Sequence, residues 1–83
     1  MSELTSMKNI GPAMEESLLA MGIKTPDELR ELGAVEAYQR MKQEVRPRAC
    51  LMTLYALYGA IHDINCMQLD SDTKEMLKGM LEG

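Results

Sequence analysis

One histidine, two cysteines and three aspartates around them are the residues of this 83-residue chain whose types invite a search for chemistry. Catalysis needs a nucleophile, a base or a metal held at close quarters. His62 stands near the end of an apolar run, where a cation suits the negative end of a helix. It has no companion, and titratable groups that do chemistry normally come in constellations. Cys50 falls on an apolar stripe and reads as inert. Cys66 reads as accessible, but it has no basic neighbour in the sequence to activate it. Asp63, Asp70 and Asp72 lack partners at metal spacing and do not follow the Ca²⁺-loop pattern. The glycines form no phosphate loop. The expectation is a non-enzyme with no cofactor and no metal site.

Two groupings point to binding instead. The first is Lys8-Asn9-Ile10-Gly11-Pro12. Asn and Gly tolerate turn backbone angles, and Pro suits the first position of a helix. Two short helices joined by such a turn make a helix-hairpin-helix-like unit. The amides at the start of its second helix can hold a phosphate, with Lys8 adding charge. The other use of the turn is only to join two helices. The second grouping is a short basic patch, Arg40, Lys42, Arg46 and Arg48.

The elements that must position these residues are all helical. Leu4 and Met7 suggest a short opening helix. Pro12 begins a second, running to about Met21, with Met14, Leu18 and Met21 on one face; Gly22 ends it. Thr25-Pro26-Asp27-Glu28 is the clearest local signal: a cap, a proline at the first helical position, and a glutamate able to reach back to the Thr25 amide. Leu29 and Leu32 face inward and Gly33 stops this helix. A fourth helix spans about Ala34 to Glu44, with Val35, Tyr38 and Met41 as its apolar stripe and Glu36–Arg40 as an i, i+4 pair. Val45-Arg46-Pro47-Arg48 is a loop, because a proline disfavours helix at the residue before it. The fifth helix runs from about Ala49 to Ile61 or His62. Cys50, Leu54, Leu57 and Ile61 form one stripe, and Leu51, Tyr55 and Tyr58 another, so it is the central post. The last helix, about Ser71 to Glu82, packs Met76, Leu77, Met80 and Leu81, with Asp70 or Ser71 as its cap. The fold class is therefore all-α, a compact bundle of five or six short helices opening with the hairpin-like unit.

Composition agrees. Hydrophobic residues make up 46%, without Phe or Trp, so Leu, Met and Ala must build the core. The nine methionines read as adaptable core filler, or as a pliable partner surface. Length allows one domain, residues 1–83. The start Met1-Ser2-Glu3-Leu4 has no basic, then apolar, leader pattern. The apolar run from Cys50 to Ile61 is too short to cross a bilayer, and two distant cysteines are no disulfide framework. A cytoplasmic protein is expected, without membrane partners.

Charge is uneven. Residues 1–33 set three cations against six acids, residues 34–62 four cations against two acids, and residues 63–83 two cations against five acids. Nucleic-acid binders usually carry a basic patch, and here only 40–48 qualifies.

Asn9-Ile10-Gly11-Pro12, Gly22-Ile23, the run from Thr25 to Tyr38 (TPDELRELGAVEAY), and Leu54-Tyr55-Ala56-Leu57-Tyr58-Gly59-Ala60 together resemble the C-terminal domain of TfoX (Sxy) proteins. The likeness runs from about Leu4 to Leu81 and is most specific over 25–38. It implies a compact helical domain opening with a helix-hairpin-helix-like unit. It also implies a link to bacterial regulators of natural competence, which are thought to assist a transcription activator at competence promoters. Full-length members carry an additional N-terminal domain, which is expected to be absent here. DNA-binding hairpins commonly have a small residue where this chain has Glu15, and Glu15 and Glu16 repel phosphate. The reading is thus a non-catalytic module contacting a protein partner in transcription regulation or DNA transactions. The alternative is weak, non-specific DNA binding. The two apolar stripes of the fifth helix leave a homodimer open.

Overall fold

The computed structural model describes residues 3–82. Met1, Ser2 and Gly83 lie outside the described residues, and with them half of the opening Met1-Ser2-Glu3-Leu4. A 3₁₀ helix at Glu3–Ser6 opens the chain. Five α-helices follow: α1 Pro12–Ala20, α2 Pro26–Leu32, α3 Ala34–Glu44, α4 Leu51–His62 and α5 Ser71–Glu82. A second 3₁₀ helix, Cys66–Gln68, sits between α4 and α5. No strand occurs among the described residues, so the all-α expectation holds. The opening unit differs from a pair of α-helices, because its first member is a four-residue 3₁₀ turn.

Local chemistry explains the breaks. The α1 terminus closes with the Gly22 amide on the Leu19 carbonyl (3.0 Å) and the Ile23 amide on the Leu18 carbonyl (2.9 Å). Ile23 and Leu18 are both buried, which supplies the apolar contact that accompanies this pair of bonds. Thr25 caps α2, its Oγ1 accepting from the Glu28 amide at 3.2 Å. The reciprocal bond differs from expectation: Glu28 Oε1 accepts from the Lys24 amide (3.3 Å) and the Thr25 hydroxyl (3.3 Å) instead of the Thr25 amide. Gly33 alone joins α2 to α3 with φ +89°, a backbone angle that side chains rarely adopt. The α5 cap is Asp70, whose Oδ1 accepts from the Thr73 amide at 2.8 Å.

The core gathers around α4. Leu54 and Leu57 are fully buried, as are Leu4, Leu18, Leu29, Met41 and Leu77 from the other elements. The main partner of α4 is α3, where Ala37 is also fully buried. The Tyr38 hydroxyl donates to the Ala49 carbonyl at 3.2 Å and holds the α3–α4 loop down. The Cα radius of gyration is 11.7 Å, close to the roughly 12 Å of a compact chain of this length.

Three expectations fail here. The helix-to-be at Ala49 starts at Leu51, so Cys50 is the residue before α4 and is exposed; Pro47 and the turn after it delay the start. Glu36 does not pair with Arg40, because Arg40 Nε reaches Glu44 at 3.1 Å and its Nη2 donates to the Met21 carbonyl at 3.3 Å. Met76 and Met80 do not pack inward. They are 48% and 53% exposed, while Leu77 is buried and Leu81 half-buried. Residues 76 and 77 lie about 100° apart around a helix, so a surface helix that buries one turns the other outward.

Candidate interaction surface

The hairpin turn is built around Asn9, which adopts the left-handed region with φ 69°. Its side chain points into the molecule. Nδ2 donates to the Ile64 carbonyl (2.9 Å) and the Ala56 carbonyl (3.4 Å), and Oδ1 accepts from the Cys66 amide (3.1 Å). One carboxamide thus ties the opening of the chain to α4 and to the loop that follows it. Gly59 leaves room for this contact; a Cβ there would overlap the Ile64 carbonyl oxygen and Asn9 Nδ2. Ile10 is buried in the core. Lys8, Gly11 and Pro12 stay exposed, and Gly11 precedes α1 with no side chain to cap it. Two of the five hairpin residues are therefore engaged in holding the fold. The sequence signal for Asn9 was its tolerance of turn angles. Nothing in it pointed to partners 47 to 57 residues away.

The four basic residues have different surroundings. Arg40 is committed to Glu44 and to the Met21 carbonyl. That carbonyl lies at the far end of α1 from the hairpin turn, about 13 Å away by the rise of a nine-residue helix. The Lys42 ammonium lies 5.8 Å from the Tyr38 ring centre. Arg46 and Arg48 line a cleft of about 490 Å³ with Pro47, Ala49, Cys50 and Thr53, and Ala49 and Cys50 also border the concavity that Lys42 lines. In that cleft the Met52 and Thr53 amides face the Cys50 thiol and hold its pKa below the ordinary thiol value, with the Thr53 side chain adding to the effect. The inert, buried thiol expected from the apolar stripe is thus an exposed one at the positive end of a helix.

The larger concavity is apolar. A groove of about 680 Å³ runs between the α2–α3 junction, the end of α4 and α5. Leu32, Val35, Tyr58, Ile61, Met76 and Met80 make its apolar surface, and Arg30, Glu36 and His62 stand in its walls. His62 lies against the Tyr58 ring, 4.2 Å between ring centres. No group of three or more His, Cys, Asp or Glu among the described residues is arranged to hold a metal. No helix among them is long and apolar enough to cross a membrane. Sequence reasoning placed Met76 and Met80 in the core and so missed this groove. The available signal was the second reading of the methionine content, a pliable surface for a partner.

The same fold occurs in two crystal structures of Listeria monocytogenes proteins described as uncharacterized or of unknown function. The triclinic form matches with 40% identity and a TM-score of 0.85, over 96% of this chain and 93% of that one. The tetragonal form matches with 38% identity and a TM-score of 0.85, over 95% of each. No curated protein matches significantly. The family model of the TfoX C-terminal domain matches residues 1–81. Helix order, breaks and family match coincide along nearly the whole chain, and the protein belongs to the TfoX C-terminal domain family.

Proposed function

We propose that the domain is a non-catalytic, cytoplasmic interaction module that contacts a protein partner in transcription regulation or DNA transactions. The observation that carries this reading is the apolar groove between α3, α4 and α5. Two methionines there remain about half exposed, although the chain has no Phe or Trp for its own core. Concave apolar surfaces with few polar groups are the usual form of a binding site, and methionine adapts to a partner's shape. A pull-down from native extract with the wild-type chain and with a Met76→Ser/Met80→Ser variant tests it. The expected result is a protein retained by the first and lost from the second. A partner held equally by both rules out the groove.

A second reading, weak DNA contact, is favoured by Arg46 and Arg48. They border a cleft at the start of α4 and make no ion pair among the described residues. The net charge of −4 opposes the approach of a phosphate backbone. Affinity is therefore expected at or beyond the weak end of the non-specific range, about 10⁻⁴ M at physiological salt. Anisotropy of a labelled duplex at two salt concentrations decides it. Sub-micromolar binding that falls steeply with salt, and is lost in Arg46→Glu, would displace the protein-contact reading.

A further inference from the structure

Three cations border two adjoining concavities where α3 leads into α4. Arg46 and Arg48 line the cleft before α4. Lys42 lines its neighbour, of about 480 Å³, and Ala49 and Cys50 belong to both. Lys42 and Arg48 are exposed, and Arg46 is half-buried. None of the three makes an ion pair among the described residues. The contact of Lys42 with the Tyr38 ring, 5.8 Å away, leaves its charge without a counterion. Among the described residues, no carboxylate lines either concavity. The two acids of residues 34–62 are engaged elsewhere: Glu44 is paired with Arg40, and Glu36 lines the apolar groove. Pro47, Ala49, Leu51 and Leu81 add apolar surface to the same lining. The first turn of α4 begins here too, and the positive end of that helix adds to the field of the cations.

We infer that this surface receives an acidic segment of a protein partner, one that sets an apolar side chain between carboxylates. It shares no lining residue with the methionine groove, so it is a second contact that stands or falls separately from the first. The lining sets the sign of the occupant. Three cations without an acid attract an anion, speed its encounter and reject cations. Arginine can also hold a carboxylate through two parallel hydrogen bonds. The small extent of the patch selects a peptide over a duplex. Double-stranded DNA carries one charge per about 1.7 Å of its axis, and the shortest extent of the molecule is 21 Å. A docked duplex would therefore carry phosphates well past three cations, along a chain of net charge −4 that repels them. A short acidic segment places its charges only where the cations are. It also brings a side chain to the apolar lining, where a nucleic-acid backbone has only phosphate and sugar to offer.

The test uses the full chain, three labelled peptides and a labelled duplex, read by fluorescence anisotropy at two salt concentrations. The first peptide has a leucine between paired glutamates. The second carries lysines in place of the glutamates. The third keeps the glutamates and replaces the leucine with serine. The first is expected to bind roughly tenfold or more tightly than the second, since like charges are rejected, and to weaken as salt rises. The third should bind less tightly than the first. Lys42→Glu/Arg48→Glu should reverse the preference between the first two peptides. Both positions are exposed, so this variant is expected to fold, which circular dichroism checks. Met76→Ser/Met80→Ser should leave binding of the first peptide unchanged. The inference is overturned if the first peptide does not bind, or if the charge reversal leaves its binding unaltered. Equal binding of the leucine and serine peptides would mean charge alone, without the apolar contact, and overturns it as well. Loss of binding in the methionine variant would move the peptide to the groove. A duplex bound more tightly than any peptide, and released by Lys42→Glu/Arg48→Glu, would make nucleic acid the occupant instead.

Discussion

Cys50 stands just outside α4 rather than on its buried stripe, and that displacement reverses its chemistry. The Met52 amide, then the Thr53 amide, favour its thiolate, and thiolate is the reacting form. Cys50 should therefore be alkylated by iodoacetamide faster than the half-buried Cys66. Its rate should rise at a pH below that of an ordinary thiol, whose pKa is about 8.5. Peptide mass spectrometry across a pH series measures both; faster labelling of Cys66 would contradict the placement. A second residue-scale expectation concerns Gly59. A methyl group there meets the Ile64 backbone and the Asn9 amide, and of these the backbone carbonyl has little freedom to give. Gly59→Ala should cost about 1–3 kcal/mol, the usual range for overpacking. A urea melt would show a lower midpoint, and an unchanged one would mean that the two segments do not approach as closely as described.

At the scale of elements, helix ends carry the local stability. Thr25 accepts the Glu28 amide, so Thr25→Ala should lose about 1 kcal/mol, typical of a capping residue. The thermal midpoint would fall while partner binding stays unchanged. Asp70 supports α5 in a pH-dependent way. The Thr73 side chain, then the Thr73 amide, hold its carboxyl below the usual carboxylate range. A folded pKa depressed in this way contributes stability above the unfolded value, about 3.9. That contribution is lost as pH falls through the lower folded pKa. The first turn of α5 should thus loosen on acidification below about pH 4. Hydrogen exchange at the Thr73 amide reports it, and Asp70→Asn should remove the pH dependence. The surface pairs Arg30–Asp27 and Arg40–Glu44 carry little of this stability, because exposed ion pairs contribute about 0–1 kcal/mol.

For the whole molecule, one helix holds the rest together. Leu54 and Leu57 are fully buried within a single chain, in a domain whose short length leaves a thin stability margin. Leu57→Ala should cost about 2–5 kcal/mol and leave the sedimentation behaviour of the folded fraction unchanged. A variant that stays fully stable but changes its oligomeric state would instead place this residue at an interface. The same α4 sets the far wall of the groove through Tyr58, Ile61 and His62. Loss of core packing and loss of binding are therefore expected together in Leu57→Ala, whereas the methionine variant separates them.

Local pattern was enough to read the helices. Capping residues, prolines and glycines stand at each break, and helical spacing of Leu, Met and Ala does the rest, so α3 spans Ala34–Glu44 and α5 spans Ser71–Glu82 as the sequence indicates. The family was legible for the same reason, since its motifs are contiguous runs. The binding surface was not. Periodicity marks an apolar stripe but not which part of it finds a neighbour, and α5 buries Leu77 while leaving Met76 and Met80 out. Charge suffered likewise: Arg40 had Glu36 and Glu44 equally spaced on either side, and packing against the end of α1 drew it to Glu44. Asn9 was readable as a turn residue, yet its role is fixed by Ala56, Ile64 and Cys66. Backbone preferences are set by neighbours in the chain and appear in the sequence. The partners of a side chain are set by which segments the fold brings together, and only the tertiary structure decided those.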